Sequence, residues 1–332
     1  MKKRKKKTRI IVTGVLAGLV LFFLAVNIYF MQCVEKENES KNVLEEEKEK
    51  LVLQIQNLEA EKKEMEKQQV QAAEQKKNQE EQKEKLPEGQ EMSKWLDGIS
   101  GVISNQIASR MEQGEDWAVY VQDIKSGTEK SSGQSKMQAA SLIKLYIMGA
   151  VYENYEKITS AAGKEKVDAL LQSMITVSDN EAANTLTRLL GNQNEAAGRE
   201  VVNVYCNSQG YDDSSMGRML LESNTNGDNY TSVKDCGLFL ERIYKNSIPH
   251  AEEMLNLLKQ QERTGKIPAG VPLGIETANK TGELSSVEND AAIIFAGEHP
   301  YILCVMSENL KDAVAARQAI VELSGDIYES MK

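Results

Sequence analysis

Gln138-Ala139-Ala140-Ser141-Leu142-Ile143-Lys144-Leu145-Tyr146-Ile147-Met148 is the stretch on which the reading of this chain turns. It is an apolar, helix-like run that carries one hydroxyl and one amine three residues apart. Positions i and i+3 share a helix face, so the Lys144 amine is expected beside the Ser141 hydroxyl. A serine hydroxyl is a weak nucleophile until a neighbouring base takes its proton. Lysine serves as that base only where burial or nearby positive charge lowers its pKa, and the apolar neighbours of Lys144 offer such surroundings. Alone, the pair is better explained by a helix-capping serine beside a solvated lysine. Two later strings shift the balance: Ser178-Asp179-Asn180, then Lys280-Thr281-Gly282. The chain has only two histidines, His250 and His299, and no Gly-x-Ser-x-Gly elbow. A serine enzyme built from it is therefore a serine/lysine one.

Each later string has a structural and a chemical reading. Ser178 or Asp179 ahead of the helix-like Glu181-Ala-Ala-Asn184 fits an N-cap, a contribution of about 1 kcal/mol. Chemically, Ser178 relays a proton and Asn180 binds a substrate amide. Lys280-Thr281-Gly282 ends the stretch Gly274 to Asn279, which reads as an edge strand lining a cleft. There Lys280 and Thr281 would hold a substrate carboxylate, and Gly282 would let a substrate backbone approach. Together the strings supply a nucleophile, a base, a proton shuttle and an anion anchor.

The flanks bound the setting. Seven of the first nine residues are basic, and no charged residue follows until Glu35. Residues 1–9 read as a cytoplasmic basic segment. Residues 10–32 read as an uncleaved transmembrane helix, long enough to cross a hydrocarbon core of about 30 Å. The rest is then extracytoplasmic, at the cell membrane. Net charge is −10, so the chain beyond those nine residues carries −17. This acidic exterior argues against nucleic acid as a partner. Residues 35–86 are rich in Glu, Lys and Gln, with Leu44, Leu51, Leu58 and Met65 seven apart. That spacing fits a charged helical stalk able to self-associate as a coiled coil; a single mixed-charge helix or a partly disordered spacer is as economical a reading. Leu86-Pro87-Glu88-Gly89-Gln90 is read as the break before a globular domain over 92–332.

Within that domain, Ser93 to Met111 reads as a helix and Trp117 to Ile124 as a strand. A helical middle follows from Ser141 to Leu190. Two apolar runs, Asp290 to Ala296 and Tyr301 to Met306, flank Gly297-Glu-His-Pro300 as a hairpin. Ala313 to Tyr328 reads as a closing helix. The expected fold is α/β of the α+β kind: an antiparallel sheet flanked by helices, plus a helical lobe. Cys206, Cys236 and Cys304 have no metal-like spacing and read as buried thiols, with one disulfide among them as the alternative. No metal site and no cofactor pattern is visible.

From about Trp117 to the C-terminus, these strings, with Ala139-Ala140, Arg263-Thr264-Gly265 and Asn289-Asp290, resemble the penicillin-recognising serine hydrolases, most closely the class A β-lactamases. The resemblance implies an acyl-enzyme on Ser141 with Lys144 as base and Ser178 as shuttle. It implies substrate contacts from Asn180, Lys280, Thr281, Gly282 and Glu283. The amides of Ser141 and Glu283 would form an oxyanion hole, worth about 3 kcal/mol per donor. The family's Glu-x-x-Leu-Asn segment, source of the deacylating base, has no clear counterpart. Asp213, in Asp213-Ser-Ser-Met216, is a loose substitute, and Glu222 matches the pattern less well. The first expectation is a membrane-anchored hydrolase of β-lactam amides. The alternatives are a D-alanyl-D-alanine peptidase or penicillin-binding cell-wall sensor that acts on stem peptide and deacylates slowly, and a non-catalytic wall-binding module.

Overall fold

A computed structural model describes residues 88–133 and 136–330. The expected basic segment, transmembrane helix and stalk lie outside the described residues. No helix among those described is long and apolar enough to cross a membrane.

Helix α1 (Glu88–Glu112) is already formed at the first described residue, so Gly89 lies inside it rather than in a break. It leads into β1 (Asp116–Asp123), which hairpins into β2 (Glu129–Gly133). After the two-residue strand β3 (Met137–Gln138) and a 3₁₀ turn (Ala140–Leu142), the chain forms a run of helices. These are α2 (Ile143–Glu153), α3 (Tyr155–Ala162), α4 (Lys164–Thr176), α5 (Asn180–Leu190) and α6 (Glu195–Ser208). Strand β4 (Tyr230–Thr231) pairs with β3. Helices α7 (Val233–Tyr244), α8 (Ala251–Lys259) and the single turn α9 (Ile267–Gly270) follow. Strands β5 (Thr277–Leu284), β6 (Val287–Ile294) and β7 (Tyr301–Glu308) precede the closing helix α10 (Ala313–Glu329).

The main sheet is antiparallel throughout, in the order β2-β1-β7-β6-β5. Its period-two alternation sorts side chains to two cores. Trp117, Val119, Val121, Leu303 and Val305 face α1 and α10, packing on Ile99, Ile103, Ile320 and Leu323. Ala118, Tyr120, Ile302, Cys304 and Met306 face the helical lobe. Both faces are covered, so β7 is apolar from Tyr301 to Met306, as a doubly buried sheet requires; β6 is equally buried but carries Glu288, Asn289 and Asp290, each held by a polar partner.

At the centre of the lobe lies α2, whose residues 143 to 152 are all buried. A helix apolar on every side belongs in a core, and Lys144 is carried into that core with it. Cys206, Cys236 and Cys304 are buried free thiols, and burial pushes Cys206 and Cys236 up to about 12. The buried-thiol reading holds, and no disulfide joins them.

Candidate active site

Ser141 lies in the 3₁₀ turn that feeds α2, and Lys144 in the first turn of that helix. Ala140, immediately before the nucleophile, has φ 47°, a left-handed conformation that costs a non-glycine residue about 1–3 kcal/mol. The turn is held from outside. Asn289 Nδ2 on β6 donates to Gln138 O (2.9 Å) and Ala139 O (3.3 Å), while its Oδ1 accepts from Ser307 N (3.1 Å). Gln138 N donates to Glu308 Oε2 (2.8 Å), and Ala139 N to Asn229 O (2.9 Å).

Ser178 also has left-handed backbone, φ 62°, between the end of α4 and the N-cap Asp179, which accepts from Ala182 N (2.6 Å). The N-cap reading of this string therefore applies to Asp179. That cap frees Ser178 and Asn180 to converge on Lys144. Lys144 Nζ lies 3.0 Å from Ser141 Oγ, 3.1 Å from Ser178 Oγ, 2.7 Å from Ser178 O and 2.7 Å from Asn180 Oδ1. Lys280 Nζ, fully buried, donates to Ser178 Oγ (2.9 Å) and to Thr281 O (2.8 Å). The Ser178 hydroxyl thus bridges two lysines.

Burial, reinforced by the Arg263 guanidinium and opposed by Asp179, brings Lys144 down to about 7. Burial and the neighbouring Lys144 charge likewise push Lys280 well below the ordinary lysine value. The hydrogen bonds agree with a neutral Lys144. Its two shortest contacts are to amide-type oxygens, which only accept. A neutral amine has two N–H groups for them and one lone pair left for the hydroxyls. No carboxylate among the described residues forms a hydrogen bond or ion pair with Ser141, Lys144, Ser178 or Lys280.

The structure thus brings together Ser141, Lys144, Ser178, Asn180 and Lys280 from three separate strings of the chain. It treats the remaining expected residues differently. Thr281 Oγ1 donates to Asn289 O (3.0 Å) and is buried, so its proton is not aimed into the cleft. Gly282 is close-packed, but what approaches it is the nucleophile turn rather than free space for a ligand. A Cβ there would fall 2.9 Å from Ala139 O and 3.0 Å from Ser141 N. The Glu283 carboxylate turns toward Lys266 (3.3 Å) and Arg263 (3.6 Å), leaving only its main chain for the cleft. Asp213 does not join the cluster. Its amide donates to Asp235 Oδ2 (2.9 Å), in a separate buried network where Ser214 bonds both Asp235 (2.7 Å) and Thr231 (2.8 Å). The short Tyr211–Ser214 turn holds it there. Glu222 is exposed and accepts from Met219 N (3.0 Å).

Three supports were not singled out for these roles. Lys266, buried, donates to Asn289 O (3.0 Å) and Gly282 O (3.1 Å) and pairs with Glu288 (2.6 Å), stitching β5 to β6 behind the cleft. Asn184, one turn beyond Asn180, holds both main-chain groups of Leu220 (2.8 and 3.0 Å). Arg218 Nε donates to Asp228 Oδ1 (2.7 Å) and closes the loop between them. Only the Asn184 spacing was a usable signal in the sequence.

An antiparallel sheet between a helix pair and a helical lobe, with a Ser-Lys-Ser-Lys cluster at its edge strand, defines the penicillin-recognising serine-hydrolase class of fold. The chain belongs to the β-lactamase enzyme family, whose model matches residues 102–160 and 157–331. Among solved structures, PBP-A is 20% identical over 65% of this chain and 90% of its own, with a TM-score of 0.57. A β-lactamase from Sphaerobacter thermophilus is 23% identical over 71% and 95%, with a TM-score of 0.57. A β-lactamase from Xanthomonas campestris is 16% identical over 72% and 99%, with a TM-score of 0.61. No curated protein sequence matches the chain.

Proposed function

We propose that this chain is an acyl-serine hydrolase of the penicillin-binding kind. It would open the amide of β-lactams or of D-alanyl-D-alanine stem peptides on Ser141 and release the acyl group slowly. The observation that carries this reading is the Lys144 site: a buried amine 3.0 Å from a serine hydroxyl, its pKa brought down to about 7 by burial first and the Arg263 charge second. Neutral Lys144 takes the Ser141 proton as Oγ attacks the carbonyl carbon. The proton passes to Ser178 Oγ, 3.1 Å away, and from there to the leaving nitrogen as the C–N bond breaks. Lys280 orients Ser178 and becomes the counter-charge of the substrate carboxylate, whose arrival offsets the burial that disfavours its protonated form. Asn180 holds the substrate amide, and the amides of Ser141 and Glu283 receive the developing oxyanion.

Deacylation needs a base that activates water on the ester, and the neighbourhood of Ser141 has none of the acids the sequence suggested. Asp213 is bound into the Asp235 network and Glu222 into its own turn. This favours the peptidase or penicillin-binding sensor over rapid β-lactam turnover. The basic N-terminus, apolar segment and heptad-spaced stalk support a membrane-tethered domain standing outside the cytoplasm, with the stalk as spacer or pairing element. The test is release of D-alanine from an acyl-D-alanyl-D-alanine peptide by the full-length chain. Slow release that Ser141→Ala abolishes fits the proposal; release that survives Ser141→Ala refutes it.

A further inference from the structure

A cavity of about 480 Å³ opens in the helical lobe between α3, α4 and α8, and it shares no lining residue with the Ser141 cluster. Three of its lining rings touch one another. Tyr152 stacks on Tyr155 (centroids 5.4 Å, planes 26° apart) and on His250 (5.0 Å, 25°), and Tyr155 lies 5.1 Å from His250. The platform is firmly built. Tyr152 is the buried last turn of α2, and His250 is turned inward by a left-handed backbone, φ 59°, just ahead of α8. Lys164 Nζ sits 2.9 Å from Tyr155 Oη and 5.4 Å from the ring centroid. Those two distances put the ammonium out along the C–O axis, so it covers neither face of the Tyr155 ring, one of which Tyr152 stacks on. It pairs there with Asp168 (2.7 Å), which also accepts from Tyr155 Oη.

Around the rings the wall is polar. The side-chain amides of Gln172 and Asn256 line the cavity and have no hydrogen-bond partner among the described residues. Asp168 and Glu253 add carboxylates, and Leu257 is the one aliphatic side chain in the lining. An occupant must therefore offer a flat C–H face to aromatic rings and several hydroxyl or amide groups to planar amides and carboxylates. Simple apolar ligands would leave the wall unpaired. Small ions would leave the rings unused. A pyranose ring meets both demands: its axial C–H bonds stack on an aromatic face while its equatorial groups hydrogen-bond sideways.

We propose that this cavity is a saccharide-binding site, separate from the acyl-transfer site, in which a sugar ring stacks on the Tyr155–His250 platform and bonds Asp168, Gln172 and Asn256. Its place in the fold would let one polymer be read twice. Helix α4, which lines the cavity, ends at Thr176, two residues before Ser178. The α8 segment is tied to that end by Gln261 Nε2 to Ile175 O (2.7 Å) and Glu262 N to Thr176 O (2.9 Å). The saccharide proposal stands on the cavity itself and does not require the acyl-serine reading.

Calorimetric titration of the full-length chain with the β-1,4-linked tetrasaccharide of N-acetylglucosamine tests it. Saturable binding with Kd at or below about 1 mM is expected. Tyr155→Ala and, at exposed positions that do not threaten folding, the double change Gln172→Ala with Asn256→Ala should each weaken it at least about tenfold. Labelling of Ser141 by penicillin should be unchanged in both. Absence of saturable heat in the wild type overturns the proposal, as does undiminished binding in both variants.

Discussion

Gly282→Ala tests how the edge strand and the nucleophile turn are fitted together. The added methyl would sit 2.9 Å from Ala139 O, 3.0 Å from Ser141 N and 3.2 Å from Ala140 Cβ. Ordinary carbon contacts begin near 3.5 Å, so about half an ångström must be found between backbone groups that have little room to give. Asn289 fixes the turn from one side, and Lys266 fixes the Gly282 carbonyl from the other. Overpacking of this kind costs about 1–3 kcal/mol. Displacing the reacting oxygen by a comparable amount lowers the chemical step by about tenfold to a hundredfold. The assays are urea unfolding and single-turnover acylation by a chromogenic cephalosporin at saturating concentration. Loss of both stability and the saturated rate is expected. If Gly282 instead makes room only for substrate, stability and the saturated rate would be unchanged and half-saturation alone would rise; that result refutes the packing argument.

The acylation rate should rise with pH through about 7 and level off above it, because the neutral form of Lys144 is the base; Arg263→Ala, by removing a neighbouring positive charge, should move that midpoint upward in a stopped-flow pH profile. The same shift makes folding stability rise between about 7 and the ordinary lysine value of 10.5, where the unfolded chain binds a proton that folded Lys144 does not. Asn289→Ala should cost about 2–4 kcal/mol in chemical denaturation, since two carbonyls of the nucleophile turn and the Ser307 amide lose their partner together. Leu220→Glu places a carboxylate on the segment that Asn184 pins one turn beyond Asn180, so it should shorten the life of a penicillin adduct at least about tenfold; an unchanged lifetime with acylation intact would show that a carboxylate at 220 does not reach the ester.

Much of the scaffold could be read directly from residue pattern. Trp117–Val121 and Tyr301–Met306 are buried on both faces and therefore apolar without a break, and α10 is preceded by its N-cap Asp312, whose side chain accepts from Val314 and Ala315. Strand β2 was not legible. Glu129-Lys-Ser-Ser-Gly133 is polar and mostly exposed, and it is a strand because β1 offers it an edge to pair with. Strand β6 starts at Val287 rather than at Asp290, because its register pairs Val287 with Leu284 across a tight turn.

The chemical cluster was legible because spacing and helix geometry bring Ser141 to Lys144, and because the other motif residues carry reactive groups. What surrounds them was not. Thr281 looks free in sequence, yet its hydroxyl is spent on Asn289 O; Gly282 looks like a gap for substrate, yet it is filled by the nucleophile turn. Asp213 looks like a candidate base until the fold carries it to Asp235. Each of these outcomes depends on a partner far away in the chain, which local pattern does not encode.

Time-resolved intact-mass spectrometry of the full-length chain mixed with a penicillin tests the central claim most directly. A single covalent adduct on Ser141 that outlasts many turnover times of a fast hydrolase is the predicted result. An adduct that vanishes as the penicillin is consumed would contradict slow deacylation, and no adduct at all would contradict acyl transfer on Ser141.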